Sequence, residues 1–205
     1  MLYRQVAQLS LFLAFISLVG LTGVVEAAGI PQRQASYSAD AVFQINERQI
    51  ASKVYHHEGK ERREFRLAGV PQVLIMRPSE NRVVYLLPLI NVGMELTLGP
   101  GESLPDLRQF ASLKPKKLGR EKISGLSTTK YDVERLKAKN PYTVTLWLTD
   151  DGIPVQAEAS DTRGDYRMLQ SNIRRGVQDA SLFEVPEGIK LAPVDAETLR
   201  GFFGG

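Results

Sequence analysis

A period of two dominates this chain and narrows what it can become. Tyr37, Ala39, Ala41, Phe43 and Ile45 alternate with Ser36, Ser38, Asp40, Gln44 and Asn46, and only Val42 breaks the polar side. Successive side chains of an extended strand point to opposite faces, so this alternation predicts a half-buried strand over 37–45. A more polar strand follows over 50–57, and Glu58-Gly59-Lys60 turns the chain into 62–67. The next pair, Gln72–Met76 and Arg82–Leu87, is apolar on both sides and is joined by the turn-forming Pro78–Asn81. Strands that are apolar on both faces must be covered on both, or must line a cavity.

The second half repeats the pattern. Leu118–Ile123, Thr128–Arg135, Thr143–Thr149, Val155–Ser160 and Tyr166–Arg174 read as strands. Between them lie Ser124-Gly125, the polar turn Lys137–Pro141, the hairpin signal Asp150-Asp151-Gly152, and Arg163-Gly164-Asp165. Strands at this even spacing predict a mainly β domain: a single antiparallel sheet that curls or partly closes. Helix is sparse. Leu104–Leu113 can form one short helix after Ser103, its Leu104, Leu107, Phe110 and Ala111 sharing a face. The stretch Asn91–Ser103, with Gly93, Gly99, Pro100 and Gly101, reads as an irregular loop or flap. Near the end, Ser181 and Glu184 stand at capping-box spacing. Leu182 and Phe183 can plug the core there, Pro186 stops the turn, and Gly188 permits positive φ. The tail from Asp195, with Leu199, Phe202 and Phe203, can add a short helix.

The first residues bear on compartment. Arg4 precedes an apolar stretch from Leu9 to Val25, and Val25-Glu26-Ala27 presents small residues before Ala28. This is the pattern of a cleavable secretory signal peptide over 1–27, which places the remaining 28–205 in the periplasm as one domain. The competing reading is an uncleaved anchor, since the stretch is long enough to span a bilayer. The chain has no cysteine, so its fold rests on a hydrophobic core without disulfides, and it lacks the cysteine that lipidation would need. A formal charge of +3 is mild. It suits peripheral contact with anionic headgroups better than nucleic acid, for which a clustered basic stripe is expected.

Catalytic constellations are missing from the sequence. There is no Gly-x-Ser-x-Gly elbow, since Gly125-Leu-Ser127 lacks the closing glycine. Gly99-Pro-Gly101-Glu-Ser is not followed by a lysine, so it is no phosphate loop. His56 and His57 point to opposite sides of a strand and are poorly placed to share a metal, which leaves them as exposed or rim residues of a polar strand. Asp150 and Asp151 belong to a hairpin signal rather than to a cleft. Lys60, Arg62, Arg63 and Arg66 form a basic run expected to be solvated, with contact to lipid phosphate as the alternative. The chain is accordingly expected to be no enzyme, with no metal and no cofactor.

Leu118–Gly125, Lys130–Val133 and Trp147–Pro154, with the ending Asp179–Gly188, resemble the C-terminal half of the periplasmic lipoprotein-sorting superfamily, the LolA/LolB-like proteins. The leader and the early strand 37–45 fit as well. The resemblance implies an open antiparallel half-barrel with a few short covering helices and an apolar concave face that takes acyl chains. A lipid or an acylated protein is then the expected partner. Phe43, Ile45, Val73, Ile75, Val83, Tyr85 and Leu87 are the candidate cavity residues, each equally suited to ordinary core. The alternative is an envelope interaction or stress-sensing module on the same scaffold, binding a protein partner without transport.

Overall fold

The computed structural model describes residues 30–97 apart from 32 and 34, then 115–135, 142–161 and 164–195. The expected leader, the helix at 104–113, the turn at 137–141 and the tail aromatics lie outside the described residues.

Among the described residues, twelve strands form one sheet: β1 (Tyr37–Ile45), β2 (Arg48–His57), β3 (Lys60–Leu67), β4 (Val70–Arg77), β5 (Arg82–Leu87), β6 (Val92–Thr97), β7 (Lys116–Ile123), β8 (Leu126–Arg135), β9 (Tyr142–Leu148), β10 (Pro154–Asp161), β11 (Gly164–Arg175) and β12 (Lys190–Val194). Their spatial order is β12-β6-β5-β4-β3-β2-β1-β11-β10-β9-β8-β7, so the sheet has two ends and does not close into a barrel. Two antiparallel meanders, β1–β6 and β7–β11, meet where β1 pairs with β11, with Ala41 opposite Gln170 and Phe43 opposite Met168. Among the described residues there is no α-helix, and none is long and apolar enough to cross a membrane. The helical pieces are 3-10 turns at Pro78–Glu80, Pro88–Ile90 and Ala180–Phe183.

The register fixes two faces. The inner face carries Tyr37, Ala39, Ala41, Phe43 and Ile45 from β1, and pairing extends it outwards. Val54 sits opposite Ala39, Arg63 opposite Val54, Leu74 opposite Arg63, and Tyr85 opposite Leu74. On the other side, Met168, Ala157, Leu146 and Tyr131 follow one another across β11 to β8. A continuous buried cluster runs along this face from Leu96 and Tyr85 to Leu146 and Val133. Burying it removes most of the sheet's apolar surface from water, the main driving force for the fold.

The outer face is covered locally. After β11 the chain crosses β3–β5 as a strap before pairing as β12. Phe183 from the strap is buried with Val73, Ile75, Val84 and Leu86, flanked by Leu182, Val185, Ile189 and Leu191. This explains why β4 and β5 are apolar on both sides. Arg77 Nε donates to the Phe183 carbonyl at 2.9 Å, and its Nη2 reaches both that carbonyl and Glu184. Arg62 Nη1 donates to the Leu182 carbonyl at 3.0 Å. The strap's own turn is capped by Asp179, whose side chain accepts from the Ser181 N–H at 2.9 Å. The expected Ser181–Glu184 capping box is thus replaced by an aspartate two residues earlier, while Pro186 and Gly188, at φ +83°, end the turn as expected.

Two strands depart from the sequence reading. Asn91–Ser103 does not begin as a flap: Val92–Thr97 is β6, paired with β5 on one side and with β12, in parallel, on the other. Gly93 suggested a loop, but it is needed for packing. A Cβ there would stand 2.7 Å from Leu86 Cδ2, 2.8 Å from the Tyr85 carbonyl oxygen and 2.9 Å from Leu191 Cδ2. β12 itself is short, partly exposed and contains Pro193, so it carries no strong strand signal. An edge position tolerates a proline because one side of the strand needs no donor.

Candidate functional site

The seven candidate cavity residues divide between the two faces. Phe43, Ile45, Val83 and Tyr85 are buried together on the inner face, with Leu87 packed against them. Val73 and Ile75 alternate with the inward Leu74 and Met76, so they face the strap and pack under Phe183 instead. Their apolar character reflects cover by the chain itself, and it removes them from any inner-face cavity. Tyr85 donates its hydroxyl to Gln72 Oε1, and burial pushes its pKa up to about 12. Around these residues the inner wall is therefore apolar, with the Tyr85 hydroxyl paired.

Two clefts are described, and neither is lined by any of these seven residues. One, of about 430 Å³, is bordered by Gln44, Asn46, Glu158, Tyr166 and Arg167. The other, about 250 Å³, is on the outer face between Asp40, Lys53, Asn172 and Arg174. Each is lined largely by polar side chains, which suits solvent better than hydrocarbon.

A buried charged cluster stands on the same inner face, and sequence reasoning missed it. Glu61 and Arg63 of β3 are each 1% exposed, His56 of β2 is 1% exposed, and Arg33, ahead of β1, is 6% exposed. Glu61 accepts from Arg33 Nη1 at 2.5 Å on one oxygen and from Arg63 Nε at 2.6 Å on the other. Arg33 Nη1 also donates to the Tyr37 hydroxyl at 3.2 Å. The two guanidinium groups hold the Glu61 carboxyl at about 2, against the desolvation that would raise it. His56 lies 2.8 Å through Nδ1 from the Ala35 carbonyl. A carbonyl only accepts, so Nδ1 carries the proton and Nε2 of the neutral ring is an acceptor. Burial, then the Arg33 charge, lowers the His56 pKa to about 4, so the ring is neutral at pH 7. The cluster holds two cations and one anion.

Several of its polar atoms have no partner among the described residues: Arg33 Nε and Nη2, Arg63 Nη2 and His56 Nε2. A buried guanidinium nitrogen without an acceptor is costly, because its hydration has been lost with nothing in exchange.

The expectation of two rim histidines and a solvated basic run is corrected here. His56 and Arg63 face inward, whereas His57 faces the strap, 2.7 Å through Nδ1 from Ser36 Oγ and with its ring 6.3 Å from that of Phe183. The signal was available as His56, Glu61 and Arg63 falling on one face through the β2–β3 hairpin register. Arg33, which completes the pairing from 28 residues away, left no local pattern. Elsewhere, Asp150 and Asp151 do sit in a hairpin and pair with Arg120 and Arg175, respectively. Among the described residues no group of three or more His, Cys, Asp or Glu could hold a metal.

No protein-family model matches the chain, and no curated protein does. Solved structures do. Over 88% of its length the chain aligns with 62% of a chain from the Pseudomonas aeruginosa MucA/MucB complex, at a TM-score of 0.54 and 16% identity. MucB in a separate crystal structure gives 0.52 and 17%, over 86% of this chain and 63% of that one. An uncharacterized conserved protein from Thermus thermophilus gives 0.52 and 16%, over 92% of this chain and 99% of that one. The chain thus spans less than two thirds of the MucB chains that it matches, and at these identities the likeness is one of fold. Among the described residues the chain has the expected unclosed, mostly antiparallel sheet, with a strap and 3-10 turns in place of the expected short covering helices, and it shares this scaffold with MucB and the Thermus protein.

Proposed function

We propose that this is a non-enzymatic binding protein of the bacterial cell envelope whose inner face holds an acyl chain of a lipid or of an acylated protein. The observation that carries the reading is the apolar inner face of an unclosed sheet. Phe43, Ile45, Val83 and Tyr85 are buried against one another there with Leu87 packed beside them, so an acyl chain enters by parting this cluster, and each methylene it moves from water into it is worth about 0.8 kcal/mol. An open sheet can part at its ends to admit a chain, which a closed barrel of this strand count cannot do without breaking hydrogen bonds. The test is mass spectrometry of organic extracts from protein purified without detergent. Co-purifying lipid at near-stoichiometric amounts is expected, and repeatedly lipid-free protein that also fails to take up a fluorescent fatty acid ends the reading.

A second reading, a module that docks a protein partner, is favoured by one observation. β7 is the last strand of the sheet as described, paired with β8 alone, and its exposed residues include Lys116, Lys117, Arg120 and Lys122. Such an edge suits an added strand from an acidic segment. The crystal structure of MucB in complex with MucA(peri) records a protein partner for that neighbour. A complex that survives delipidation would favour this reading over acyl binding.

A further inference from the structure

The Arg33–Glu61–Arg63 cluster has more cation than its own side chains neutralise. One carboxylate faces two guanidinium groups, and His56 is neutral beside them. Both arginines use one nitrogen on Glu61 and leave others without an acceptor: Nε and Nη2 of Arg33, and Nη2 of Arg63. An interior ion pair is held for its own sake only when its hydrogen bonds are complete. Among the described residues, this one lacks acceptors for three nitrogens and sets two cations against one anion. The missing partner is therefore an acceptor with a single negative charge, and oxyanions fit the fork of a guanidinium better than any other common group.

The register places this cluster beside the apolar wall. Arg63 is opposite Leu74, which is opposite Tyr85; Glu61 is opposite Met76, which is opposite Val83. Two strand spacings, about 10 Å, separate β3 from β5. A headgroup at the arginines would thus leave its chain lying over Val83, Tyr85 and Leu87. Resting on the acyl-binding reading of this face, we infer that Arg33 and Arg63 bind the singly charged oxyanion headgroup, carboxylate or phosphodiester, of the bound amphiphile. His56 Nε2, on the residue opposite Glu61, is an acceptor in the same region and would take a hydroxyl or amide proton of the ligand, giving the site a preference for headgroups that carry one.

The test compares probes that differ in one group, on the intact wild-type protein: laurate, dodecanol, and inorganic phosphate alone. Affinities come from calorimetry, and nitrogen-15 spectra of the arginine Nε–H groups report contact, with R33K and R63K used for assignment. Laurate binding at least about tenfold tighter than dodecanol, with both Arg33 and Arg63 signals shifted, is the expected result. In R63Q that preference should fall below about threefold while dodecanol affinity stays unchanged; R33Q serves if R63Q does not fold. Equal affinity for laurate and dodecanol overturns the anion site and leaves acyl binding intact. Phosphate shifting the arginine signals while neither amphiphile binds overturns the headgroup assignment and the acyl reading together, and marks the source as a free anion. Silence of both arginine signals to all three probes overturns the site outright.

Discussion

His56 should make the protein lose stability in mildly acidic solution, well before its carboxylates protonate. In the folded chain its pKa is lowered to about 4 from the ordinary 6.5. A folded pKa below the unfolded one means that the unfolded state binds the proton first, so stability is fully present above about pH 6.5 and falls as pH drops towards 4. Integrating between those two values, the loss from pH 7 to pH 5 is about 2 kcal/mol, and it approaches about 3 kcal/mol below pH 4. The window from 7 to 5 isolates the histidine, because Asp40, Asp151, Asp179 and Glu61 all have lowered pKa values and act only in stronger acid. The assay is urea denaturation at pH 7, 6 and 5 in a buffer free of phosphate and carboxylate, followed by the fluorescence of Trp147. That tryptophan is the only one in the chain, it is buried on the outer face with Lys130 4.7 Å above its ring, and it donates to Glu121 at 2.5 Å. His56→Gln should be less stable than wild type at pH 7 yet almost flat over this range. Parallel slopes for the two proteins would refute the reasoning, since the titrating group would then lie elsewhere.

Other perturbations follow from the same contacts. Glu61→Gln leaves two buried guanidinium groups without their anion and should cost about 3–5 kcal/mol in chemical denaturation; the wild-type pair should itself weaken as pH falls from 4.5 towards 2, because the folded Glu61 pKa lies below its unfolded value. Phe183→Ala empties the outer-face plug over Val73, Ile75, Val84 and Leu86, and a loss of about 3–5 kcal/mol is expected by thermal or urea unfolding. Gly93→Ala forces a methyl into the Tyr85 carbonyl and two leucines, with about 1–3 kcal/mol lost and faster hydrogen exchange at Lys190–Val194 as the readout. Asp179→Ala removes the strap's cap and should lower the urea midpoint.

The sheet was legible where one side of a strand meets core and the other meets water. The alternation from Tyr37 to Ile45 gives β1 its bounds residue for residue, and the apolar run Arg82–Leu87 does the same for β5. β6 was hidden because Gly93, usually a loop signal, is small for the sake of a neighbour. β12 was hidden because a five-residue edge strand needs little apolar patterning to pair. The double-sided apolarity of β4 correctly required cover on both faces, but alternation alone does not say which of its residues meet the inner cluster and which the strap, so Val73 and Ile75 were grouped with the wrong wall. Charge was the least legible. Arg63 beside Arg62 reads as a solvated run, and only the register separates them, Arg63 towards the interior and Arg62 towards the strap. The burial of Arg63 depends on an anion from its own strand and on a cation from ahead of the first strand, which local composition does not encode.

The strap and the two strands it joins have a consequence for assembly of the chain. β11 flanks one side of the β1–β6 meander and β12 the other, so a short stretch late in synthesis clasps a block made much earlier. Until residue 194 is available, that block shows an unpaired edge at β6 and a bare patch of valine, isoleucine and leucine on its back. A nascent or truncated product ending at β11 would expose the two features that most readily recruit other chains, and so should be the aggregation-prone, chaperone-dependent form, whereas a peptide spanning 176–194 supplied in trans should rescue it.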